Sequence, residues 1–199
     1  MLVLETDDPH PETQERRGSF AAVFDDLFST AGSKHDLPLS VDVAMHFCVE
    51  DPENGKYGHA PELSDVTSDT DAILINGSMY DAHGNDAWIL KLLDFLREVW
   101  DQKPNMRFSG VWFGHQLLSR LLGAKVESTP GGKWELAHTT MDLTPIGRRL
   151  VTGMTEDQPL ELHQMHQDQV TSVPSNATTA MLSPETKVHV WASTDHTPI

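Results

Sequence analysis

The chain has 199 residues, with 14 basic side chains against 30 acidic ones and a formal charge of −16. So negative a surface repels phosphate backbones and anionic headgroups, which disfavours nucleic acid and membrane surfaces as partners. A single cysteine, Cys48, excludes an internal disulfide and a multi-cysteine zinc site. With 38% hydrophobic residues, a chain of this length suits one packed domain over residues 1–199. Acid arrives at Glu5, before any run of signal-peptide length, and no stretch approaches the ~20 apolar residues of a membrane span. The expectation is a soluble, cytoplasmic protein.

Leu2-Val3-Leu4 is a short apolar run closed by Glu5-Thr6-Asp7-Asp8-Pro9, and reads as a buried strand feeding a loop. Phe20, Val23, Phe24, Leu27 and Phe28 form one helical face, with Ser19 to cap its start and Gly32 past its end. Val41, Val43 and Met45 alternate with Asp42 and Ala44 and run into Phe47-Cys48-Val49, a second strand in which Cys48 reads as a small buried hydrophobe. Residues 50–70 are acidic and rich in turn formers, hence a surface loop. Ala72-Ile73-Leu74-Ile75, closed by Asn76-Gly77-Ser78, has the continuous apolar character of a strand buried on both faces. Asn85 or Asp86 caps a helix striped by Trp88, Leu92, Phe95, Leu96 and Val99, and Pro104 follows its end. Phe108–Phe113 reads as a strand and His115–Leu122 as a helix ended by Gly123. The order β-α-β-β-α-β-α predicts an α/β domain with a largely parallel sheet. Beyond it, Val126 and the segments 134–143, 160–173 and 179–193 read mostly as short strands, and Thr144-Pro145 opens a short helix to Leu150.

The segment Gly110-Val111-Trp112-Phe113-Gly114-His115-Gln116 joins a predicted strand to a predicted helix with the pattern Gly-x-X-x-Gly. That is the geometry of a nucleophile elbow: the glycines permit a sharp turn, the central side chain stands above the sheet's C-terminal edge, and backbone N–H groups can stabilise an oxyanion. The chemistry needs Ser or Cys at the centre, whereas Trp112 has no nucleophilic atom.

These residues resemble the Gly-x-Cys-x-Gly-x-Gln signature of class I glutamine amidotransferases, especially the GMP-synthase-like stand-alone branch, where Cys-Phe-Gly-His-Gln is common. Asp71–Ser78 resembles the family's strand and oxyanion loop, Asn85–Ile89 its next helix start, and Leu121–Val126 the helix end and strand after the elbow. Lys133-Trp134-Glu135 and His163–Asp168 are similar to later family segments. The resemblance implies a three-layer α/β/α, flavodoxin-like sandwich with a mostly parallel sheet, shortened at its C-terminus. It also implies that Trp112 stands where the nucleophilic Cys belongs, and that the family's His-x-Glu pair falls after Thr194-Asp195-His196, beyond the end of this sequence. The expected function is that of a family member without Cys-dependent glutaminase activity. Its cleft of Gly77, Ser78, Trp112, Phe113, Gly114 and Gln116 still binds a small molecule or partner, with backbone N–H groups from Gly77 and Phe113.

Three readings of Trp112 stand side by side: a plug in the nucleophile pocket, an aromatic floor for a flat ligand, or a substitution at the level of the sequence. One alternative function is a repurposed enzyme in which His115, His166 and Asp168 perform acid–base chemistry on a small organic substrate in a specialised biosynthetic pathway. Another is a non-enzymatic module forming a homodimer or meeting a partner chain at an exposed sheet edge. No cofactor is expected. No metal is expected either: if this stretch is a strand, His163 and His166 face opposite ways, whereas on a helix they would share a face and His115 or His196 could join them. The favoured reading is that His166 and Asp168 are a structural polar pair beside the cleft. The acidic pairs Asp25/Asp26 and Glu50/Asp51 read as solvated faces, while Glu5 and Asp7 follow a strand's C-terminal end, where open α/β sheets bind ligands.

Overall fold

A computed structural model describes residues 1–151 and 158–197. The chain divides into two compact units, Met1–Leu118 and Ser119–Ile199. The first opens with β1 (Leu2–Glu5), α1 (Pro11–Arg17) and α2 (Phe20–Ser33). The Ser19 side chain accepts from the Ala22 N–H, capping α2 where the sequence places the cap. Then come β2 (Ala44–Phe47), the hairpin of β3 (Glu50–Asp51) and β4 (Lys56–Tyr57), β5 (Ala72–Ile75), α3 (Ala87–Gln102), β6 (Arg107–Gly110) and α4 (Phe113–Leu121).

The main sheet has the order β2-β1-β5-β6, with every pairing parallel. Val3 stands beside Leu74, and both pack with Phe24 of α2, flanked by Met1, Phe20, Phe28, Val43 and Met45. Leu2, Leu4, Ile73 and Ile75 alternate onto the opposite face and are buried as well. A parallel sheet buried on both faces reads as an unbroken apolar run, as β5 does. α3 buries Trp88, Ile89, Leu92, Leu93, Phe95, Leu96 and Val99 as one stripe. Each such large apolar side chain contributes about 1.5–3 kcal/mol.

Several expectations change in this unit. α1 lies in a stretch that the periodicity left unassigned. Residues 50–70 are more than a loop: they hold the β3–β4 hairpin, turned at Gly55 in the left-handed region, and 3-10 turns at Pro52–Asn54 and Leu63–Asp65. The strand before the elbow stops at Gly110 rather than Phe113, because Val111 and Trp112 form the turn.

The second unit is built from antiparallel pieces. β7 (Val126–Ser128) pairs with β10 (Asp168–Val170), and a separate sheet has the order β11-β8-β9, from Ala192–Ser193, Glu135–Leu143 and Leu160–His166. α5 (Pro145–Leu150) is capped by Thr144, whose hydroxyl accepts from the Gly147 N–H and donates to Val190 O. Of the segment 179–193, which the sequence suggests is mostly strand, only Ala192–Ser193 is strand. Among the described residues, no helix is long and apolar enough to cross a membrane.

Candidate functional site

In the first unit the C-terminal ends of β1, β5 and β6 and the start of α4 carry the elbow. Two glycines make its turn possible. A Cβ on Gly110 would collide with the Gly114 carbonyl, and one on Gly114 with the Ile75 carbonyl oxygen. Between them Trp112 has φ 49°, and it is the one non-glycine among the described residues in the left-handed region. A bulky L-residue held there costs roughly 1–3 kcal/mol. The strain lifts the side chain above the sheet edge, as an elbow does for its central residue. The indole is 48% exposed, with one edge against the loop after β5: a Cβ on Gly77 would stand 2.6 Å from Trp112 Cε3. So the structure brings Gly77 and Trp112 together.

The turn is fastened to the strand beside it. Gly114 N–H donates to Asn76 O at 3.1 Å, Val111 N–H to Ile75 O at 2.9 Å, and Gln116 N–H to Trp112 O at 3.0 Å. Phe113 opens α4, so its N–H is one that a helix leaves without an intrahelical acceptor. The Phe113 ring is buried and stacks on Trp88, centroids 5.7 Å apart. His115 sits on the first turn of α4 and keeps an exposed surface, while protein atoms around it partly desolvate its imidazole and lower it from the usual histidine range.

The loop after β5 is equally tied. Asn76 is buried, and its Oδ1 accepts from Thr6 N–H at 2.7 Å and from the Thr6 hydroxyl at 2.6 Å. Ser78 Oγ donates to Thr6 O at 2.5 Å. Asp7 accepts the Met79 N–H at 2.7 Å with one carboxylate oxygen and pairs with Lys56 through the other. Glu5 ends β1, and burial, with Asp8 nearby, pushes its carboxyl above the ordinary range. Cys48 is fully buried, and burial with the neighbouring Glu5 charge pushes its thiol far up, so no reactive thiolate forms there.

His166 and Asp168 belong to the second unit. His166 Nδ1 donates to Asp168 O at 3.1 Å, and Nε2 lies 3.2 Å from Glu135 Oε2. Glu135, 7% exposed at its side chain, also accepts from the hydroxyls of Thr139 at 3.4 Å and Thr197 at 3.3 Å. Asp168 accepts from Ser128 Oγ at 2.7 Å. On β9 His163 lies opposite His138, on the other face from His166, and no group of three or more metal-ligating side chains assembles among the described residues.

Three partners escape the motif reading: Thr6 beneath Asn76, Lys56 against Asp7, and Glu135 against His166. Each leaves a trace in the sequence. Thr6 breaks an acidic run, Lys56 is the one lysine or arginine in residues 50–70, and Glu135 shares the strand alternation of Ala137 and Thr139.

No protein-family model matches the chain. A glutamine amidotransferase-like protein of Schizosaccharomyces pombe is 26% identical over 174 residues, which is 87% of this chain and 66% of that protein. Gamma-glutamyl peptidase 5 of Arabidopsis thaliana is 29% identical over 180 residues, 90% of this chain and 64% of that protein. A solved glutamine amidotransferase from Methylobacillus flagellatus superposes with a TM-score of 0.55 at 15% identity, covering 87% of this chain and 57% of that one. The chain is similar in sequence to glutamine amidotransferase-like proteins. Its parallel sheet is that of the class I glutamine amidotransferase, flavodoxin-like fold. The chain spans about two thirds of the length of these curated relatives.

Proposed function

We propose that this chain is an amidotransferase-like protein without Cys-dependent glutaminase activity, in which the elbow site binds a small molecule or partner and does not form a thioester. The observation that carries this is Trp112. It stands at the position the resemblance assigns to the nucleophile, in the strained conformation of an elbow centre, with its ring against Gly77. Attack on a carboxamide requires a thiolate or alkoxide there, and indole supplies neither. The chain's one thiol, Cys48, is sealed in the first unit's core. Of the readings of Trp112, the floor fits its pose better than the plug, because one edge rests on the loop while nearly half of the side chain stays open to solvent. A ring fixed in advance loses little freedom when a flat ligand stacks on it.

The test is release of ammonia and glutamate from L-glutamine, and of glutamate and the second amino acid from a γ-glutamyl dipeptide, the latter chosen because several relatives are named gamma-glutamyl peptidases. Release stays at the level of buffer with the purified chain. Sustained release above that level that is lost on denaturing the protein overturns the proposal.

A further inference from the structure

Lys56 comes from the β3–β4 hairpin, inside a stretch whose composition marks it as a solvated loop. Its side chain is nevertheless only 11% exposed, and that of Asp7, its partner, 14%. Charged groups are covered to that degree when they are paired, because an unpaired one would lose its hydration without compensation. Two routes lead from the Lys56 ammonium to the elbow. The first runs through Asp7, whose second oxygen takes the Met79 N–H at 2.7 Å; Met79 lies two residues beyond Gly77, the residue under the Trp112 ring. The second runs through aromatic faces. The ammonium lies 5.5 Å from the Tyr80 ring centroid, Tyr80 meets Trp88 edge-on at 5.2 Å, and Trp88 stacks on Phe113 at 5.7 Å. Phe113 directly follows Trp112. The hairpin is itself anchored, since the Tyr80 hydroxyl donates to Asp51 and Lys91 of α3 donates to Glu50 at 2.6 Å.

We infer that Lys56 is a positioning residue of the elbow site: through Asp7 it fixes the Gly77–Tyr80 loop, and through Tyr80 it fixes the start of α4. The inference deepens the binding role proposed above, yet it concerns how the site is held and does not depend on whether glutamine is hydrolysed. Removing the ammonium leaves Asp7 next to Asp8, which is 3.7 Å from Lys56 Nζ, with no cation between them. Asp7 then turns to water and drops the Met79 N–H.

The experiment uses the full chain labelled with 5-fluorotryptophan, the Trp112 resonance being assigned with Trp112→Phe and the Trp88 resonance with Trp88→Phe. Lys56→Met keeps the length of the side chain and removes its charge. Lys56→Arg keeps the charge. In Lys56→Met, the Met79 amide exchanges with solvent about tenfold faster or more, and the Trp112 and Trp88 fluorine resonances shift while those of Trp100, Trp134 and Trp191 stay in place. Lys56→Arg restores both signals. A purely structural loss would instead speed exchange evenly across Met1–Leu118 and move every resonance of that unit. That even pattern, or an unchanged Met79 amide and Trp112 resonance in Lys56→Met, overturns the inference. Glutamine turnover by the parent chain would overturn the functional proposal and leave these signals as they are.

Discussion

The two units bury different chemistry. In Met1–Leu118 the sheet interior is Leu2, Val3, Leu4, Ile73, Leu74 and Ile75, and the buried polar residues Thr6, Asn76 and Gln116 all lie at the elbow end of it. In Ser119–Ile199 one apolar cluster is only Ala124, Val126 and Val170, while Thr129, Glu135, Asp168, Gln169 and Thr194 are buried. Burial of apolar area is non-directional and tolerant of small shifts. A buried carboxylate with an imidazole and two hydroxyls around it is directional, and every member depends on the others. In the first unit, then, polar burial marks the site. In the second it is part of what holds the structure together.

The sharpest way to break this contrast is Gly114→Ala. The added methyl would collide with the Ile75 carbonyl, backbone that cannot give way without disturbing β5. The expected loss exceeds about 3 kcal/mol, seen in urea unfolding and in hydrogen exchange of β5 and α4. Next is Glu135→Ala, which strands His166 and the hydroxyls of Thr139 and Thr197. A loss of about 2–3 kcal/mol is expected, with exchange accelerated in β8 and β9 and unchanged in β1 and β5. Equal acceleration in both units would erase the distinction drawn between them.

A smaller effect concerns Glu5. Its carboxyl is pushed up from the ordinary 4.5 by burial and by Asp8, so the folded chain holds that proton more tightly than the unfolded chain does. The associated stability is present below pH 4.5 and is lost as pH rises through the raised folded value. Glu5→Gln should therefore be more stable than the parent at neutral pH and indistinguishable from it in this respect below pH 4.5. Urea midpoints measured across that range decide the matter; a variant less stable at neutral pH would contradict it.

The parts of the molecule that sequence made legible are those where one physical demand dominates. β5 announces itself because a strand buried on both faces must be apolar throughout. Gly110 and Gly114 announce the elbow because only a missing Cβ lets α4 come so close to β5. The β3–β4 hairpin stayed hidden because two-residue strands are too short to show a period, and its acidic, turn-rich composition is also that of an ordinary loop. The segment 179–193 misled in the other direction, since its β-branched residues suggested strand while its backbone is mostly irregular. At the site, the motif located Trp112 and Gly77 but not the partners Thr6, Lys56 and Glu135, because pairing over tens of residues leaves no local pattern. The Lys56 to Asp7 bond spans 49 positions and the Glu135 to His166 contact joins facing strands.

The enclosure of Cys48 has a practical side. It is the only cysteine in the sequence and has no surface in contact with water. Maleimides and iodoacetamide therefore have nothing to alkylate on the native fold, and mild oxidants cannot cross-link copies through sulfur. A cysteine introduced on the exposed face of the hairpin, for instance Tyr57→Cys on β4, would be the sole address for a fluorophore or spin label, with no background substitution required.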